Sequence, residues 1–253
     1  MNDESGATKG AVLVVSGPGG RLAAQVATRL ARDGYPVGII GPEGAETTAA
    51  DVVSAGGRAL GVRAEPGDRA GLDDALARCT DLGATAAVVL DFHPPDATRS
   101  RQLVTLADDE WDSWCEAPIR WCLVGLQSAF QLLSASGGVI VLIVPTVSLI
   151  GAEGYVAATT AGEAQRILAK SGARRWGGSG ITVNVVAVPL DALPDEDPGE
   201  PGESAQLSLG PPALAPPDPA IGIASVVTSL TGPLGGMVTG ATICLDGGAV
   251  MAP

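Results

Sequence analysis

Unbroken runs of aliphatic residues recur along this chain and constrain its fold more than any other feature. The runs AVLVVS (11–16) and VIVLIV (139–144) show no alternation of polar and apolar residues, which predicts strands that are covered on both faces. Each run is followed by a loop and then by an Ala-rich helical pattern. Strands of this kind lie in parallel sheets between two helical layers, so the sequence predicts an α/β protein.

Strand and helix patterns alternate along most of the 253 residues. Parallel strands need crossover connections, and these are almost always right-handed, so the alternation predicts a Rossmann-type, doubly wound parallel sheet in a single domain over residues 1–253. The predicted strands are 11–16, 37–40, 58–65, 85–90, 139–144, 181–187 and a short one within 241–248, and the predicted helices are 22–34, 44–57, 70–80, 108–134, 156–172 and 220–230.

Two segments lack this alternation of strand and helix patterns. Residues 1–10 carry no strand or helix pattern and are expected to be a flexible N-terminus. Residues 189–219 are rich in Pro, Gly and acidic side chains and contain no core strand. A long segment of that composition inside a compact domain is usually functional or disordered, so we expect a mobile loop or lid there.

The composition excludes several classes of function. A formal net charge of −13 argues against a nucleic-acid partner and against an anionic membrane surface. No stretch approaches the ~18 apolar residues of a membrane span, and the N-terminus lacks the apolar segment of a signal peptide, so a cytoplasmic location is expected. The cysteines lack metal-site spacing and the one histidine cannot complete a site with them, which predicts buried free thiols and no metal: Cys79, Cys115, Cys122 and Cys244.

Three motifs resemble those of the short-chain dehydrogenase/reductase family. Ser16-Gly17, followed by a helix to Gly34, is similar to the family's nucleotide loop, and GITVNVVAVP (180–189) and TGATICLDGG (239–248) are similar to its late strand and C-terminal signature. The resemblance covers essentially the whole chain. It implies a Rossmann-type sheet, NAD(P)-dependent interconversion of alcohols and ketones, and assembly into dimers or tetramers.

The resemblance also assigns positions to the family's catalytic Asn, Ser, Tyr and Lys. Counted along this chain, those positions hold Pro118, Pro145, Ala158 and Gly162. None of these side chains can donate or accept a proton during hydride transfer. Tyr155 does not restore the site, because the residue one helical turn after it is not a lysine. We therefore predict no catalytic residues for ordinary hydride transfer.

The predicted cofactor site keeps only part of the family pattern. The candidates that the resemblance implies are Gly17, Gly19, Gly20, Arg21 and Glu65. Arg21 stands where the family has a glycine, so its side chain either blocks a phosphate or binds one. The second strand ends at Gly41-Pro42 without an acid or base for the ribose. We expect no binding of NAD(P), or weak binding.

The fourth predicted strand ends in Leu90-Asp91-Phe92-His93, where the family has small residues. We expect Phe92 and His93 to project into the cofactor channel. His93 is either a filler held by Asp91 or a backbone carbonyl, or a relocated base. Asp91, His93 and Tyr155 are the side chains to consider for new chemistry.

Three tryptophans, Trp111, Trp114 and Trp121, fall within predicted helix 108–134. Their spacing gathers them on one face, which is either core or an interface. The resemblance implies that helices 108–134 and 156–172 pack across a subunit interface. The leading hypothesis is a catalytically degenerate subunit, structural or regulatory, in a homo- or hetero-oligomer with an active homologue. The alternatives are a nicotinamide-independent cyclase, isomerase or dehydratase, and a small-molecule-binding or sensor protein.

Overall fold

The central strands are aliphatic on both faces because helices cover both faces of the sheet. The computed structural model describes residues 9–93, 99–193, 212–215 and 218–251. Within them seven strands form one parallel sheet in the order β3-β2-β1-β4-β5-β6-β7. The strands are β1 (Ala11–Ser16), β2 (Val37–Gly41), β3 (Ala59–Arg63), β4 (Thr85–Asp91), β5 (Gly138–Pro145), β6 (Ile181–Val188) and β7 (Thr242–Cys244). The predicted Rossmann-type α/β fold is confirmed.

The β5 strand shows how the two helical layers use one aliphatic run. Ile140, Leu142 and Val144 pack into the core on one side of the sheet, and the alternate residues of the strand pack into the core on the other. All residues from 139 to 144 are at most 6% exposed. An aliphatic side chain contributes about 1.5–3 kcal/mol when it is fully buried, so this run stabilises both layers at once.

The helices form one layer on each face of the sheet. They are α1 (Arg21–Arg32), α2 (Ala45–Ser54), α3 (Arg69–Arg78), α4 (Asp108–Trp111), α5 (Ala117–Leu133), α6 (Val156–Trp176) and α7 (Pro219–Thr231). The first two helices and α7 cover one face, while α3, α5 and α6 cover the other. A carboxylate caps the start of two of these helices: Asp68 accepts from the Ala70 N–H, and Asp218 accepts from the Ile221 N–H.

The single helix predicted over 108–134 is interrupted. A π-helical turn, Asp112–Glu116, separates α4 from α5, and Pro118 lies in the first turn of α5. Proline lacks the N–H that would continue an α-helical ladder, so a wider turn directly before it accommodates the missing bond. The inserted turn also changes which way the preceding residues face.

A polar corner joins β6 to β7. Asn184 is 0% exposed, and its side-chain amide donates to the Val238 carbonyl while its oxygen accepts from the Ala241 N–H. Asp246, just after β7, is 3% exposed and accepts from the N–H groups of Gly248 and Val250. These bonds satisfy buried polar groups and fix the register of the last strand.

Part of the predicted lid takes a defined structure. Leu190–Ala192 form a 3-10 turn after β6, and the Leu214 N–H donates to the Gly247 carbonyl. The rest of the predicted lid, 194–211 and 216–217, lies outside the described residues, as do residues 1–8 of the predicted flexible N-terminus. Within the described ranges, no helix has the length and apolar character needed to cross a bilayer.

Candidate functional site

The strand order reverses between β1 and β4, and a doubly wound sheet binds its ligand in the crevice at that point. The loop after β1 is drawn tightly against the end of β2 at this crevice. A Cβ built on Gly20 would lie 2.8 Å from the Ser16 Oγ, and one on Gly41 would lie 2.5 Å from the same atom. A side chain at either position would displace the Ser16 hydroxyl, which lies between them, and Gly20 also has a φ of 68°, which favours glycine.

The structure brings four of the predicted cofactor residues into one turn. Gly17 donates its N–H to the Asp91 carbonyl, which links the loop to the end of β4. Gly19 and Gly20 have φ angles of 87° and 68°, and α1 begins directly afterwards at Arg21. The N-cap residue of α1 is Gly20, which has no side chain to cap the helix, and glycine-rich turns before a helix are typical of phosphate-binding loops. Glu65 lies apart from them, exposed in the loop after β3.

Trp121 occupies the crevice beside this turn. A Cβ built on Gly17 would lie 3.3 Å from the Cζ3 atom of Trp121 and 3.7 Å from the His93 carbonyl oxygen. On the far side of the indole, a Cβ built on Gly67 would lie 3.5 Å from its Cδ1 and Nε1 atoms. The ring therefore lies between the loop after β1 and the loop after β3. As this chain is packed, its residues do not fit a bound dinucleotide.

A cavity lies at the carboxyl ends of β4 and β5, beneath α5 and α6. The four positions that the resemblance assigns to catalysis all line it: Pro118, Pro145, Ala158 and Gly162. The other lining residues are Phe92, His93, Trp114, Ile143, Ala161, Gln165, Leu190 and Leu193. The centre of a water molecule can reach only about 20 Å³ of this space, which is room for about one water.

Gly162 marks the closest approach between α6 and the turn after β5. A Cβ at this position would lie 2.7 Å from the Ser148 Cβ and 3.3 Å from the Pro145 Cδ. Real Cβ atoms essentially never come as close as 2.7 Å, so any other residue would force α6 away from the turn. The position that the resemblance assigns to lysine has no space for a side chain.

His93 and Gln165 supply the polar groups of the cavity wall. His93 Nδ1 lies 2.8 Å from Asp91 Oδ1, and Asp91 is 2% exposed. Gln165 reaches from α6 and donates its amide N–H to the Phe92 carbonyl at 2.9 Å. The sequence did not single out Gln165, because a lone glutamine in a helix carries no motif.

Phe92 faces the protein interior as well as the cavity. It is 1% exposed, and a Cβ on Gly125 of α5 would lie 2.5 Å from its Cε2 atom. The expectation that Phe92 projects into a cofactor channel was therefore wrong in part: the residue lines the cavity, but the outer edge of its ring packs against α5. Two further lining residues, Leu190 and Leu193, come from the segment that the sequence assigned to a mobile lid.

Tyr155 is separated from the other residues proposed for new chemistry. It lines a different pocket, together with Arg99 and Arg101, and is itself 6% exposed. Burial raises the pKa of its hydroxyl. Trp114 and Ala158 line both pockets and stand between Tyr155 and His93. The structure thus pairs His93 with Asp91 and leaves Tyr155 outside.

The three tryptophans of the interrupted helix do not share one exposed face. Trp114 is 7% exposed and forms part of the cavity wall, while Trp121 faces the glycine loops. Trp111 is partly buried and donates its indole N–H to Glu116. The π-helical turn between Trp111 and Ala117 breaks the helical phase on which the predicted stripe depended.

The thiols lie mostly in the core. Cys79, Cys115 and Cys122 are buried, Cys244 is partly buried, and all four are free. Burial raises the pKa of Cys79 to about 11 and that of Cys115 to about 11, and a neighbouring Glu116 adds to the second shift. Within the part of the chain that the structure describes, no group of His, Cys, Asp or Glu could hold a metal ion.

Comparisons with known proteins identify the family of this chain. A family model described as enoyl-(acyl carrier protein) reductase matches residues 20–250. The chain is 28% identical to the short-chain reductase protein NovJ of Streptomyces niveus, over 94% of this chain and 93% of that protein. It is also 28% identical to a dehydrogenase/reductase from Sinorhizobium meliloti 1021, with a TM-score of 0.78 over 96% of each chain. For the short-chain dehydrogenase/reductase from Serratia marcescens BCRC 10948 the identity is 28% and the TM-score 0.76, over 96% of this chain and 98% of that one. These matches span the whole fold, and the chain therefore belongs to the short-chain dehydrogenase/reductase family of oxidoreductases.

Proposed function

We propose that this chain is a member of its family that does not transfer hydride, and that it acts as the structural or regulatory subunit of an oxidoreductase whose active subunit is a homologue. One observation carries the proposal. The positions assigned to Asn, Ser, Tyr and Lys converge on one cavity, and there they hold two prolines, an alanine and a glycine: Pro118, Pro145, Ala158 and Gly162.

The chemistry of hydride transfer explains why this matters. A carbonyl that receives hydride needs a proton at its oxygen, and an acid must be positioned to supply it. Pro145 offers neither a side-chain donor nor a backbone N–H, and Ala158 has no acid group. Among the described residues that line the cavity, His93 is the only titratable side chain. Space for about one water also leaves little room for a carbonyl substrate inside the cavity.

Binding of NAD(P), usual in this family, is proposed to be absent or weak in this chain. The turn at Gly19 and Gly20 suits a phosphate, but Trp121 fills the adjoining crevice. The substrate class is proposed by family alone: a hydroxyl or keto group, including one on an acyl thioester, acted on by the active partner.

The partner is proposed to pack on the outer sides of α5 and α6. Each of these helices exposes an aliphatic side chain, Leu123 at 44% and Ile167 at 60%. The formal net charge of −13 disfavours close packing of two identical copies, so a partner of different charge is favoured. A pairing of two inactive with two active chains would keep the closed symmetry that oligomers prefer.

Co-purification tests this proposal. The chain is purified alone and together with a homologue that keeps Tyr and Lys, for instance one encoded beside it, and mass and nicotinamide turnover are measured. We expect no turnover by the chain alone and a complex of fixed stoichiometry with the partner. Leu123→Glu with Ile167→Glu should abolish the complex, whereas Val53→Glu on α2, 53% exposed on the opposite layer, should not. A stable homo-oligomer that ignores every homologue would contradict the proposal.

A second candidate function is supported by the contact between Asp91 and His93. The buried Asp91 carboxylate lies 2.8 Å from a ring nitrogen of His93, without hydrogen-bond geometry between the two atoms. A small rotation of the ring would let the carboxylate orient the imidazole as a general base, as required for proton abstraction in an isomerase, cyclase or dehydratase. Tyr155 is not part of this candidate site. If purified chain converts a substrate without nicotinamide, His93→Ala and Asp91→Asn should each abolish the conversion. Full activity in both variants would exclude this function.

The third hypothesis, a small-molecule-binding or sensor protein, is the least supported by the cavity, because its free space is so small. It is tested by thermal-shift screening of metabolites, since a ligand present at 100 times its Kd adds about 2.7 kcal/mol of stability.

A further inference from the structure

We propose that Trp121 is a built-in occupant of the nucleotide crevice, standing where the adenosine end of a dinucleotide would lie, and that removing its indole opens a binding site for adenine nucleotides. This inference rests on the proposed function, because it explains why a chain of this family would not bind its cofactor. It differs from the loss of catalytic side chains, which concerns the cavity under α6 and leaves the crevice beside α1 untouched.

The position of the ring is set by the topology of the sheet. Gly17 follows β1 and the His93 carbonyl follows β4, and these two strands flank the point where the strand order reverses. A ligand of a doubly wound sheet lies against this point. The indole reaches from there to Gly67, which follows β3. The planar indole of Trp121 thus occupies the region in which a nucleoside would bind.

Two sets of contacts hold the helix that carries the indole. Phe92 lies against Gly125, where not even a Cβ would fit, so α5 approaches β4 closely. Arg69 at the start of α3 donates to the side-chain oxygens of Gln127 and Gln131 on α5. The second contact ties the region of Gly67 to the same helix. With both sides of the crevice attached to α5, the indole is held between them.

The neighbouring turn keeps the features that bind a phosphate. Gly19 and Gly20 adopt positive φ angles, and the N-cap of α1 is Gly20, which has no side chain to act as a cap, unlike α3, which Asp68 caps. Uncapped N–H groups at a helix start favour an anion. Removing the indole therefore opens a slot between Gly17 and Gly67, beside a turn whose geometry suits an anion, and an adenosine diphosphate moiety needs this pair of features.

The experiment compares nucleotide binding by the full chain and its variants, with NADH, NADPH and ADP as probes in titration calorimetry. Trp121→Ala should bind at least one probe with a Kd at least about tenfold lower than the wild type. Trp176→Ala is the matched control, because it removes another partly buried indole, one that stacks on Phe130 at 5.0 Å. That control should bind no more tightly than the wild type.

Folding of each variant is checked by circular dichroism and thermal unfolding. Trp121→Leu keeps an apolar side chain in the crevice but frees much of the space that the indole ring occupies. This variant is used for the binding measurement if the alanine variant does not fold. Folded variants that bind no better than the wild type would overturn the inference and leave the proposed function standing. Wild-type protein that binds NADH as tightly as Trp121→Ala would also overturn it. Oxidation of NADH by the wild type would instead defeat the proposed function.

Discussion

The β6–β7 corner and the cavity under α6 both lie in a chain that resembles one family throughout. They differ in the polar side chains that they contain and in how those side chains are hydrogen-bonded. At the corner, Asn184 and Asp246 use both ends of their side chains in hydrogen bonds to the backbone. In the cavity, the positions assigned to proton transfer hold Pro118, Pro145, Ala158 and Gly162. In the corner, the side chains of Asn184 and Asp246 are hydrogen-bonded to the backbone. The cavity is lined mostly by apolar side chains and has little free space.

The difference teaches that the polar groups that specify a fold are separable from those that perform chemistry. Loss of Asn184 would leave a partly buried carbonyl and a partly buried N–H unpaired, a cost to the folded state itself. Loss of a catalytic hydroxyl or ammonium has no such cost when apolar groups fill the space. Four substitutions in or beside these two regions test this difference.

The largest loss of stability is expected at the cavity under α6. Phe92→Ala should lower the free energy of unfolding by about 3–5 kcal/mol, because a 1%-exposed ring packed on Gly125 would be replaced by a void. Denaturant unfolding measures the loss. Phe92→Leu, which keeps a large apolar group, should lose clearly less. If the two variants were equally stable, the ring would not be part of the packing that closes the crevice and cavity.

The second largest loss of stability is expected at the β6–β7 corner. Asn184→Ala should cost about 2–3 kcal/mol, since it leaves the Val238 carbonyl and the Ala241 N–H without their partner. Ser128→Ala is the matched control: its hydroxyl is buried but has no hydrogen-bond partner within the described part of the chain, so its removal should be nearly neutral. Equal losses in the two variants would remove the distinction drawn between paired and unpaired polar groups.

A smaller effect is expected at the cavity wall. Gly162→Ala should cost about 1–3 kcal/mol by overpacking against Ser148, offset by up to about 1 kcal/mol of helix propensity. Gly172→Ala, in the same helix, meets the ring of Trp176 near the helix end, which can move, so its net loss should be smaller. Stabilisation by Gly162→Ala would mean that α6 has room to accept a side chain at the position assigned to lysine.

The smallest effect concerns pH. Cys115 packs with Trp114 and Ala161 beside the cavity, and burial, helped by Glu116, raises the pKa of its thiol from 9.0 to about 11. In the unfolded chain the thiol loses its proton near pH 9, whereas in the folded chain it keeps the proton to about pH 11. Its contribution to stability is therefore complete below pH 9 and is lost as the pH rises toward 11.

This prediction is measured as the slope of unfolding free energy against pH. Cys115→Ala should show a shallower decline than the wild type between pH 9 and about 11, because one titrating thiol has been removed. Identical slopes would show that the thiol is solvated in the folded state, and that the wall beside Ala161 is more open than the packing indicates.

The sequence predicted the sheet well, because each central strand is a continuous aliphatic run whose identity does not depend on distant residues. AVLVVS became β1 without a change of boundary, and VIVLIV became β5 with one residue added at each end. The helix over 108–134 was predicted less well. A proline signals a break, but not whether the chain bends, widens into a π-helical turn or stops.

The candidate site was predicted in part. The family's spacing of catalytic residues, counted along this chain, pointed to Pro118, Pro145, Ala158 and Gly162, and these four residues line one cavity. Trp121 was missed as a crevice residue. Its direction depends on the phase of α5 after the π-helical turn, and that phase cannot be read from local spacing. Gln165 and Leu193 were missed for a similar reason, because only the tertiary packing brings them to the cavity.

The most direct test of the central claim is the absorbance of reduced nicotinamide in a solution of the purified chain, without any partner, mixed with NADH or NADPH and a panel of carbonyl substrates. We expect no oxidation above the rate in buffer, because the positions that the family gives to Tyr and Lys hold Ala158 and Gly162, which cannot protonate a carbonyl. Oxidation of more than one nicotinamide per chain, coupled to reduction of a carbonyl, would contradict it.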